Sequence, residues 1–270
     1  MLHLINFADD KFKFAQKFNS KTAKKFKIFD TITEYKPENI DNAFKEKNKH
    51  IFVYERGFGF FLWKPYFILK RLNEIGEGDV LMYCDAGAHF INTPKYLVEL
   101  FNHTKQDIIP FELELFEKEW TKRDAFYLMS CDKDPYHNTF QRLGGFNLFK
   151  KSAFSIKFVK EWLSYSSDKR IISDDDNQCG KKNDTSFKAH RHDQSIFSLL
   201  SKKYKLDGFR DPSQFGNPRI NKYHNSPYPQ IIESTRQKIP KQSKLSYKIK
   251  KLLGIYFLRK IIKYPFRFFS

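Results

Sequence analysis

The chain has 270 residues, of which 40% are hydrophobic and 17% aromatic, and this composition is too rich in core-forming side chains for a disordered protein. Its formal net charge is +18, so its surface should attract phosphate groups, whether they belong to a nucleic acid, a nucleotide or an anionic lipid. The three cysteines are far apart and form no CxxC pair, which argues against a disulfide framework or a structural zinc site and favours a reducing, cytoplasmic compartment.

The first third of the chain alternates apolar strands with amphipathic helices. Hydrophobic runs predict strands at 2–7 and 27–35, with a basic amphipathic helix at 11–26 between them. A further helix is predicted at 65–75, and the almost wholly apolar run 80–84 predicts a strand that is buried on both faces. This order favours an α/β fold with a mixed sheet flanked by helices.

The middle of the chain also predicts helices and strands, but its hydrophobic pattern is less regular. Helices are predicted at 93–102 and 152–165, whereas 125–130 fits a helix or a strand. The polar run 173–186 is typical of an exposed loop.

Beyond that loop, Asp193 is in a position to cap a helix with an apolar face. The Pro, Gly and Asn content of 208–230 predicts no long regular element there.

The last segment, 241–270, holds nine Lys or Arg and no Asp or Glu, interleaved with aliphatic and aromatic side chains. This composition is typical of an interfacial amphipathic helix that binds an anionic membrane surface reversibly. A helix packed on the domain, or on a second copy of it, is the alternative. We therefore expect one domain at 1–232 and a basic amphipathic tail at 233–270.

Neither a secretory leader nor an apolar stretch of about 20 residues is evident. The sequence accordingly predicts a cytoplasmic protein that is peripheral on the inner face of a membrane.

Asp85 directly follows the predicted strand 80–84, at the carboxyl end where ligands of open α/β sheets gather. A carboxylate there can hold Mg²⁺ or Mn²⁺, hard cations that prefer oxygen ligands. An Asp after an apolar strand also commonly belongs to a turn or a helix cap. The motifs elsewhere in the sequence help to distinguish the metal ligand from the turn or cap.

Four motifs occur in a fixed order along the chain: RGFGFFLWKP at 56–65, GDVLMYCDAG at 78–87, WTKRD at 120–124 and RHDQS at 191–195. The series resembles the bacterial and viral glycosyltransferases of surface polysaccharide and lipopolysaccharide assembly, whose shared pattern is RGxGxWxWKP, gDilxYxDaG, TKxD and RHDQS. The resemblance covers about residues 2–225. It implies a GT-A-like fold, a UDP- or GDP-sugar as donor, a Mn²⁺ or Mg²⁺ ion, and a glycan or lipid-linked acceptor.

The resemblance also implies roles for single residues in a metal site. Asp85 matches the first Asp of a DxD-like metal motif, while Gly87 stands where the second carboxylate usually lies. For a later metal ligand the candidate is His224, since His is an acceptable ligand of Mn²⁺. A solvated loop side chain is the alternative for His224.

Asp193 and Gln194, from the RHDQS motif, are expected beside the reacting carbon. In an inverting transfer Asp193 would take the proton of the acceptor hydroxyl, and in a retaining transfer it would orient the sugar or stabilise positive charge near the ring. A purely structural N-cap is the alternative.

Lys64 precedes a helix that starts with proline, and we expect it to reach the donor diphosphate from the helix N-terminus, where backbone N–H groups favour anions. Gly144 and Gly145 predict a loop whose backbone closely approaches a ligand, although an ordinary turn explains them as well.

Lys122, Arg123 and Asp124 offer two cations and a carboxylate within three residues, which the resemblance interprets as contacts to the donor phosphate or sugar hydroxyls. A surface charge cluster is the alternative.

Two other classes of protein fit parts of the sequence. A nucleic-acid-binding protein would use the positive charge and the aromatic residues, but no RNP-like, helix-turn-helix or zinc-finger pattern is present and no nucleic acid partner is expected. A membrane-attached scaffold without catalysis is compatible with Gly87.

Overall fold

The structure of the protein is a computed structural model, which describes residues 1–238. The strands are β1 (Leu2–Phe7), β2 (Thr31–Tyr35), β3 (Val80–Cys84), β4 (Ala88–Phe90), β5 (Ile108–Ile109), β6 (Phe111–Phe116), β7 (Phe140–Arg142), β8 (Phe146–Lys150), β9 (Phe209–Arg210) and β10 (Ile232–Ser234). The α-helices are α1 (Lys13–Lys24), α2 (Asn42–Lys47), α3 (Lys49–Phe52), α4 (Gly57–Phe60), α5 (Trp63–Glu74), α6 (Lys95–Val98), α7 (Glu117–Trp120), α8 (Arg123–Leu128), α9 (Ala153–Ser166), α10 (Lys169–Ile172) and α11 (Asp193–Lys203). Short 3₁₀ helices lie at Pro37–Asn39, Glu99–Asn102, Tyr136–Asn138 and Gln214–Lys222.

A five-stranded mixed sheet in the order β2-β1-β3-β8-β5 forms the centre of the domain. Strand β1 pairs in parallel with β2 and β3, whereas β8 runs antiparallel to both β3 and β5. Two smaller sheets accompany it, the antiparallel pair β4-β10 and the three strands β7-β6-β9. The predicted α/β class with a mixed, helix-flanked sheet is confirmed.

Side chains alternate between two apolar cores, one on each face of the central sheet. On β1 and β3, Ile5 and Tyr83 point into one core, and Leu4 and Met82 into the other. The first core includes buried side chains of α5, α9 and α11, and the second includes residues of α1, β4 and β10. Burial on both faces explains why β3 is almost wholly apolar in sequence.

Local signals set the limits of two long helices. Helix α9 begins after Ser152, whose hydroxyl accepts a hydrogen bond from the Ser155 backbone N–H at 3.1 Å. Helix α5 carries Pro65 in its first turn, where the missing N–H costs nothing, and after the helix the chain turns at 77–78, where Gly78 has a φ of 80°.

Several predicted elements are confirmed with shifts of at most two residues at their ends. Strands β1 and β3 have the predicted limits, and the helices predicted at 11–26, 65–75 and 152–165 are α1, α5 and α9. The ambiguous stretch 125–130 is largely helical, as part of α8. The helix predicted at 93–102 is divided into α6 and a 3₁₀ turn.

Other expectations need correction. Only the last five residues of the strand predicted at 27–35 pair with β1. The segment 208–230 contains a nine-residue 3₁₀ helix, so the expectation of no long regular element there is wrong. Strands β6, β7 and β8 were not predicted, because short strands gain their stability from pairing partners that are distant in sequence.

The domain continues past the predicted boundary at 232. Strand β10 pairs with β4, and the backbone N–H of Arg236 donates to the Gly87 carbonyl at 2.9 Å. The rest of the predicted amphipathic tail, 239–270, lies outside the described residues. Among residues 1–238, no helix is long and apolar enough to cross a membrane.

A buried amide ties α1 to the turn that follows β3. Asn19 is 0% exposed; it donates to the Ala88 carbonyl at 2.9 Å and accepts from the side-chain amide of Asn6 at 2.9 Å. Buried polar groups that lose their partners cost the full desolvation penalty. Asn19 therefore holds the segment that carries Asp85 against the rest of the domain.

Replacing Asn19 with Ala should lower the free energy of unfolding by about 1–3 kcal/mol, because the buried Ala88 carbonyl and the Asn6 amide each lose a hydrogen-bond partner. Urea denaturation followed by circular dichroism measures the change. The control is Asn73→Ala at an exposed position of α5, which should change the stability by less than about 0.5 kcal/mol. Equal effects of the two substitutions would show that the Asn19 hydrogen bonds are unimportant.

Candidate active site

A cavity of about 670 Å³ opens at the carboxyl ends of the parallel strands β1 and β3. Its walls come from the residues after these two strands, from α4 and α5, from the 143–146 turn, from the start of α11 and from the 211–215 and 234–238 segments. Ligands of open α/β sheets bind at this edge, since the loops diverge there and leave a crevice. Asp85, Lys64, Asp193 and Gln194 all line it.

The buried ammonium of Lys64 links two carboxylates on the cavity floor. Its Nζ lies 2.7 Å from Asp193 Oδ2, 3.6 Å from Asp85 Oδ1 and 3.0 Å from the Gly144 carbonyl oxygen. The contact with Asp193 is an ion pair rather than an aligned hydrogen bond. These acceptors surround the ammonium, which holds Asp85 and Asp193 together, while its contact with a diphosphate stays a prediction.

Burial dominates the electrostatics of Asp193. It raises the pKa of this carboxyl to about 6, against the opposing effect of Lys64, and the nearby Asp85 raises it further. Burial alone would lower the pKa of Lys64, but the charges of Asp193 and Asp85 outweigh it and the pKa lies above its ordinary value. With one ammonium between two carboxylates, the cluster has a formal charge of −1.

Asp85 is the carboxylate of this cluster that faces the cavity, with a side chain that is 47% exposed against 4% for Asp193. The hydroxyl of Tyr83 donates to Asp85 Oδ1, and the Asp85 backbone N–H donates to the Gly145 carbonyl at 2.7 Å. Burial and the adjacent Asp85 charge raise the pKa of Tyr83 well above its ordinary value, so this phenol remains a donor. Tyr83 thus orients the carboxylate, and the backbone contact fixes the position of Asp85 in the turn.

Gly144 and Gly145, which the sequence singles out, allow their turn to approach other residues of the site closely. A Cβ on Gly144 would lie 3.0 Å from Cβ and 3.2 Å from Cα of Gln194, and one on Gly145 would lie 3.1 Å from Asp85 Oδ2. The close approach that the sequence predicts at these glycines is therefore to Gln194 and Asp85.

A chain of amides fixes Gln194 at the cavity wall. Its Oε1 accepts from the Gly144 N–H at 3.1 Å, and its Nε2 donates to Gln141 Oε1 at 2.8 Å. Gln141 is 0% exposed and donates in turn to the hydroxyls of Thr121 and Ser195. Gln194 is thus presented in one orientation.

Asp193 is the first residue of α11 and not its N-cap, so the predicted capping role is wrong. The N-cap is His192, which has a left-handed φ of 49° and makes no side-chain capping bond. The Asp193 carboxylate is turned towards Lys64 instead.

The two histidines beside Asp193 belong to the structural framework of the site. His190 accepts from the Lys122 N–H through Nδ1, so its Nε2 carries the hydrogen and donates to the Ile171 carbonyl at 2.8 Å. His192 stacks on Phe60, and burial lowers its pKa to about 4 despite its contact with Asp174. Neither is arranged as a zinc ligand.

Lys122, Arg123 and Asp124, which are predicted to contact the donor, do not line this cavity. Asp124 is 0% exposed and accepts from the backbone N–H groups of Gln178 and Cys179. Lys122 donates to the Asp175 carbonyl, while Arg123 pairs with Asp132 and donates to the Lys182 carbonyl. All three organise the 174–183 loop.

The metal motif is incomplete where Gly87 stands. A Cβ there would lie 3.1 Å from Arg236 Cα, so the backbone at Arg236 fills the place of a second carboxylate. His224 is exposed and does not line the cavity, so the structure does not bring it to Asp85. Within residues 1–238, no three His, Cys, Asp or Glu side chains are grouped as a metal site.

Three arginines on the cavity wall, Arg56, Arg191 and Arg236, were not singled out from the sequence. The first two belong to the RGFGFFLWKP and RHDQS motifs, which could have drawn attention to them. Arg236 lies in a segment without a motif, and only its packing against Gly87 brings it to the site.

No protein-family model matches the chain. No curated protein matches it in sequence. Among solved structures it is similar to the apo form of mouse xyloside xylosyltransferase 1, with 10% identity, coverage of 88% of this chain and 98% of that chain, and a TM-score of 0.46. It is also similar to the galactosyltransferase LgtC in complex with donor and acceptor sugar analogues (12% identity, 86% and 86%, TM-score 0.49). A third similar structure is 4-diphosphocytidyl-2C-methyl-D-erythritol synthase of Anaerococcus prevotii (12% identity, 77% and 85%, TM-score 0.35). With identities and scores this low, the function has to be argued from the site.

Replacing Lys64 with Met should destabilise the fold by about 3–5 kcal/mol, because it leaves the buried Asp193 carboxylate without its counter-charge. Urea denaturation at neutral pH measures this. The matched control on the same helix is Lys70→Met, whose partly exposed pair with Asp41 should contribute at most about 1 kcal/mol. A second substitution, Asp193→Leu, should recover part of the loss; no recovery would contradict the pairing.

Asp193 should also make stability depend on pH. Its pKa is about 6 in the folded protein, above its ordinary value of 3.8, so the folded state binds the proton more tightly than the unfolded chain does. The contribution of Asp193 is therefore fully present below pH 4 and falls by up to about 3 kcal/mol as the pH rises to about 6.

The measurement is the difference in free energy of unfolding between the wild type and Asp193→Asn, taken at each pH from 3 to 8. Both proteins contain His190 and His192, whose lowered pKa values make stability rise with pH, so their contribution cancels in this difference. A profile that is flat between pH 4 and 6 would contradict the burial of an ionisable Asp193.

Proposed function

We propose that the protein is a glycosyltransferase of the GT-A type, which moves a sugar from a UDP- or GDP-sugar to a glycan or lipid-linked acceptor. The observation that carries this proposal is the cluster of Asp85, Lys64 and Asp193 on the floor of a cavity at the carboxyl ends of β1 and β3. The order of the four sequence motifs supports it, because each of them contributes at least one residue to this one cavity.

The size and charge of the cavity suit such a donor. A volume of about 670 Å³ lies within the range of sites that enclose small-molecule ligands and cofactors. Its wall carries Arg56, Arg191 and Arg236 together with Asp9, Glu55, Asp211 and two lysines, while the floor carries Asp85 and Asp193. A nucleotide sugar has the complementary distribution, with an anionic diphosphate beside a neutral sugar whose hydroxyls can donate to carboxylates.

The site offers a divalent cation one motif carboxylate, that of Asp85, because Gly87 stands in place of the second. Asp85 would hold it, and the remaining ligands would come from the donor diphosphate and water, a common arrangement for Mg²⁺. When bound, the ion would supply positive charge that neutralises the departing diphosphate. Lys64 and Tyr83 fix the direction of the Asp85 carboxylate.

Asp193 and Gln194 are assigned to the sugar side of the site. Asp193 holds negative charge at the floor, where it would take the acceptor proton in an inverting transfer or stabilise positive charge near the ring in a retaining one. Gln194, whose amide is fixed by Gly144 and Gln141, would orient the sugar hydroxyls. The anomeric configuration of the product, determined by NMR, distinguishes the two roles of Asp193.

The role in cell-surface polysaccharide or lipopolysaccharide synthesis is proposed from the motif resemblance. The peripheral location on the cytoplasmic face of a membrane is proposed from the composition of 241–270, with nine basic and no acidic residues. Together they favour an acceptor that is available at an anionic membrane surface.

A thermal-shift screen of UDP, GDP, CMP and their sugars, with and without Mn²⁺, tests the proposal. One nucleotide should raise the melting temperature in a metal-dependent way, because a ligand that binds only the folded state stabilises it by mass action. Asp85→Asn should abolish the metal-dependent part while leaving the ligand-free melting temperature close to that of the wild type.

Glu77→Gln, an exposed carboxylate outside the cavity, is the matched control and should retain the full shift. No stabilisation by any nucleotide, together with tight, salt-sensitive binding of RNA or DNA, would refute the glycosyltransferase and support a nucleic-acid-binding function.

A further inference from the structure

Three guanidinium groups, those of Arg56, Arg191 and Arg236, line the cavity, and they differ in whether they have a carboxylate partner. Arg56 pairs with Asp174 at 3.1 Å. For Arg191 and Arg236, no carboxylate lies within 4.0 Å among residues 1–238, and the segment 239–270 contains no Asp or Glu. Unpaired arginines that share one cavity attract an anion.

The three arginines are close enough to act on one another. Burial lowers the pKa of Arg191 below its ordinary value, and the positive charges of Arg236 and Arg56 lower it further. An anion between them would remove this mutual repulsion. Three positive charges that line one cavity therefore favour binding of a compact, multiply charged anion.

Packing holds Arg191 in place. Its guanidinium stacks over the Trp120 ring, 4.2 Å from the centroid, and its backbone N–H donates to the Trp120 carbonyl at 3.1 Å. Stacking leaves the edge of a guanidinium available for two parallel hydrogen bonds to a phosphate. Arg191 also precedes Asp193 by only two residues, which places the two functions on one short segment.

Arg236 is held at the other side by its backbone. Its N–H donates to the Gly87 carbonyl at 2.9 Å, and its φ of 52° is unusual for a residue with a side chain. Such conformations persist where surrounding contacts enforce them, often at ligand sites. This contact places Arg236 directly beside the turn that carries Asp85.

We propose that Arg191 and Arg236, together with Arg56, form a clamp for the diphosphate of the donor. Identifying the anion as a sugar donor rests on the proposed function, whereas the anion site itself does not. In the transfer, the bond between the anomeric carbon and the phosphate oxygen breaks with its electron pair on the diphosphate. The acceptor oxygen bonds to that carbon, and the acceptor proton passes to a carboxylate or to the leaving phosphate. The clamp stabilises the charge left on the diphosphate.

Isothermal titration with inorganic pyrophosphate, UDP and GDP tests the clamp. Arg191→Ala and Arg236→Ala should each raise the dissociation constant for pyrophosphate and for the preferred nucleotide about 10- to 100-fold, as expected for the loss of charged hydrogen bonds. Arg191→Lys and Arg236→Lys should show smaller losses, because they keep the charge but lose the paired geometry. Melting temperatures without ligand verify that each variant is folded.

Lys160→Ala is the control, since it removes one exposed positive charge of α9 outside the cavity. The clamp is wrong if wild type does not bind pyrophosphate, if the arginine variants bind it as tightly as wild type, or if Lys160→Ala weakens it equally. If pyrophosphate binding depends on the arginines but no sugar nucleotide binds or reacts, the clamp stands and the proposed transfer fails. If nucleotide turnover persists in variants with unchanged pyrophosphate affinity, the transfer stands and the clamp fails.

Discussion

The ammonium of Lys64 is only 4% exposed, and oxygens from three separate parts of the chain surround it. The helix α5 supplies the lysine, the end of β3 supplies Asp85, and the start of α11 supplies Asp193, with the Gly144 carbonyl between them. Two carboxylates this close would otherwise repel each other in a poorly hydrated space. The buried cation therefore makes the geometry of the whole cavity floor possible. It also fixes α5, the end of β3 and the start of α11 relative to one another.

The packing around this charge is correspondingly specific. Trp63, next to the lysine, stacks on Phe7 with a centroid distance of 3.8 Å, which joins the start of α5 to the end of β1. Gly144 and Gly145 let the turn before β8 approach Gln194 and Asp85 so closely that a Cβ on either glycine would lie 3.0 or 3.1 Å from them. The site thus rests on the central sheet and its covering helices, and loops contribute mainly the cavity walls.

The distribution of charge in the cavity indicates which kind of ligand it can bind. A floor with net charge −1 and a wall with arginines provide opposite environments within about 670 Å³. A ligand with an anionic part and a polyhydroxyl part can satisfy both, whereas a uniformly charged polymer would meet repulsion at the floor. This arrangement is compatible with the proposed sugar nucleotide as the ligand of the cavity.

Much of the central architecture could be predicted from the sequence, because hydrophobic periodicity alone identifies β1, β3, α5 and α9. The motifs also singled out Asp85, Asp193 and Gln194, which the structure brings to one cavity. The tertiary structure alone decided what the cations do: Lys64 holds the carboxylates, Lys122 and Arg123 organise a loop, and Arg236 enters the wall. The reason is physical, since a lysine or arginine has the same local sequence signal in every role, and only packing between distant segments determines which oxygens it meets.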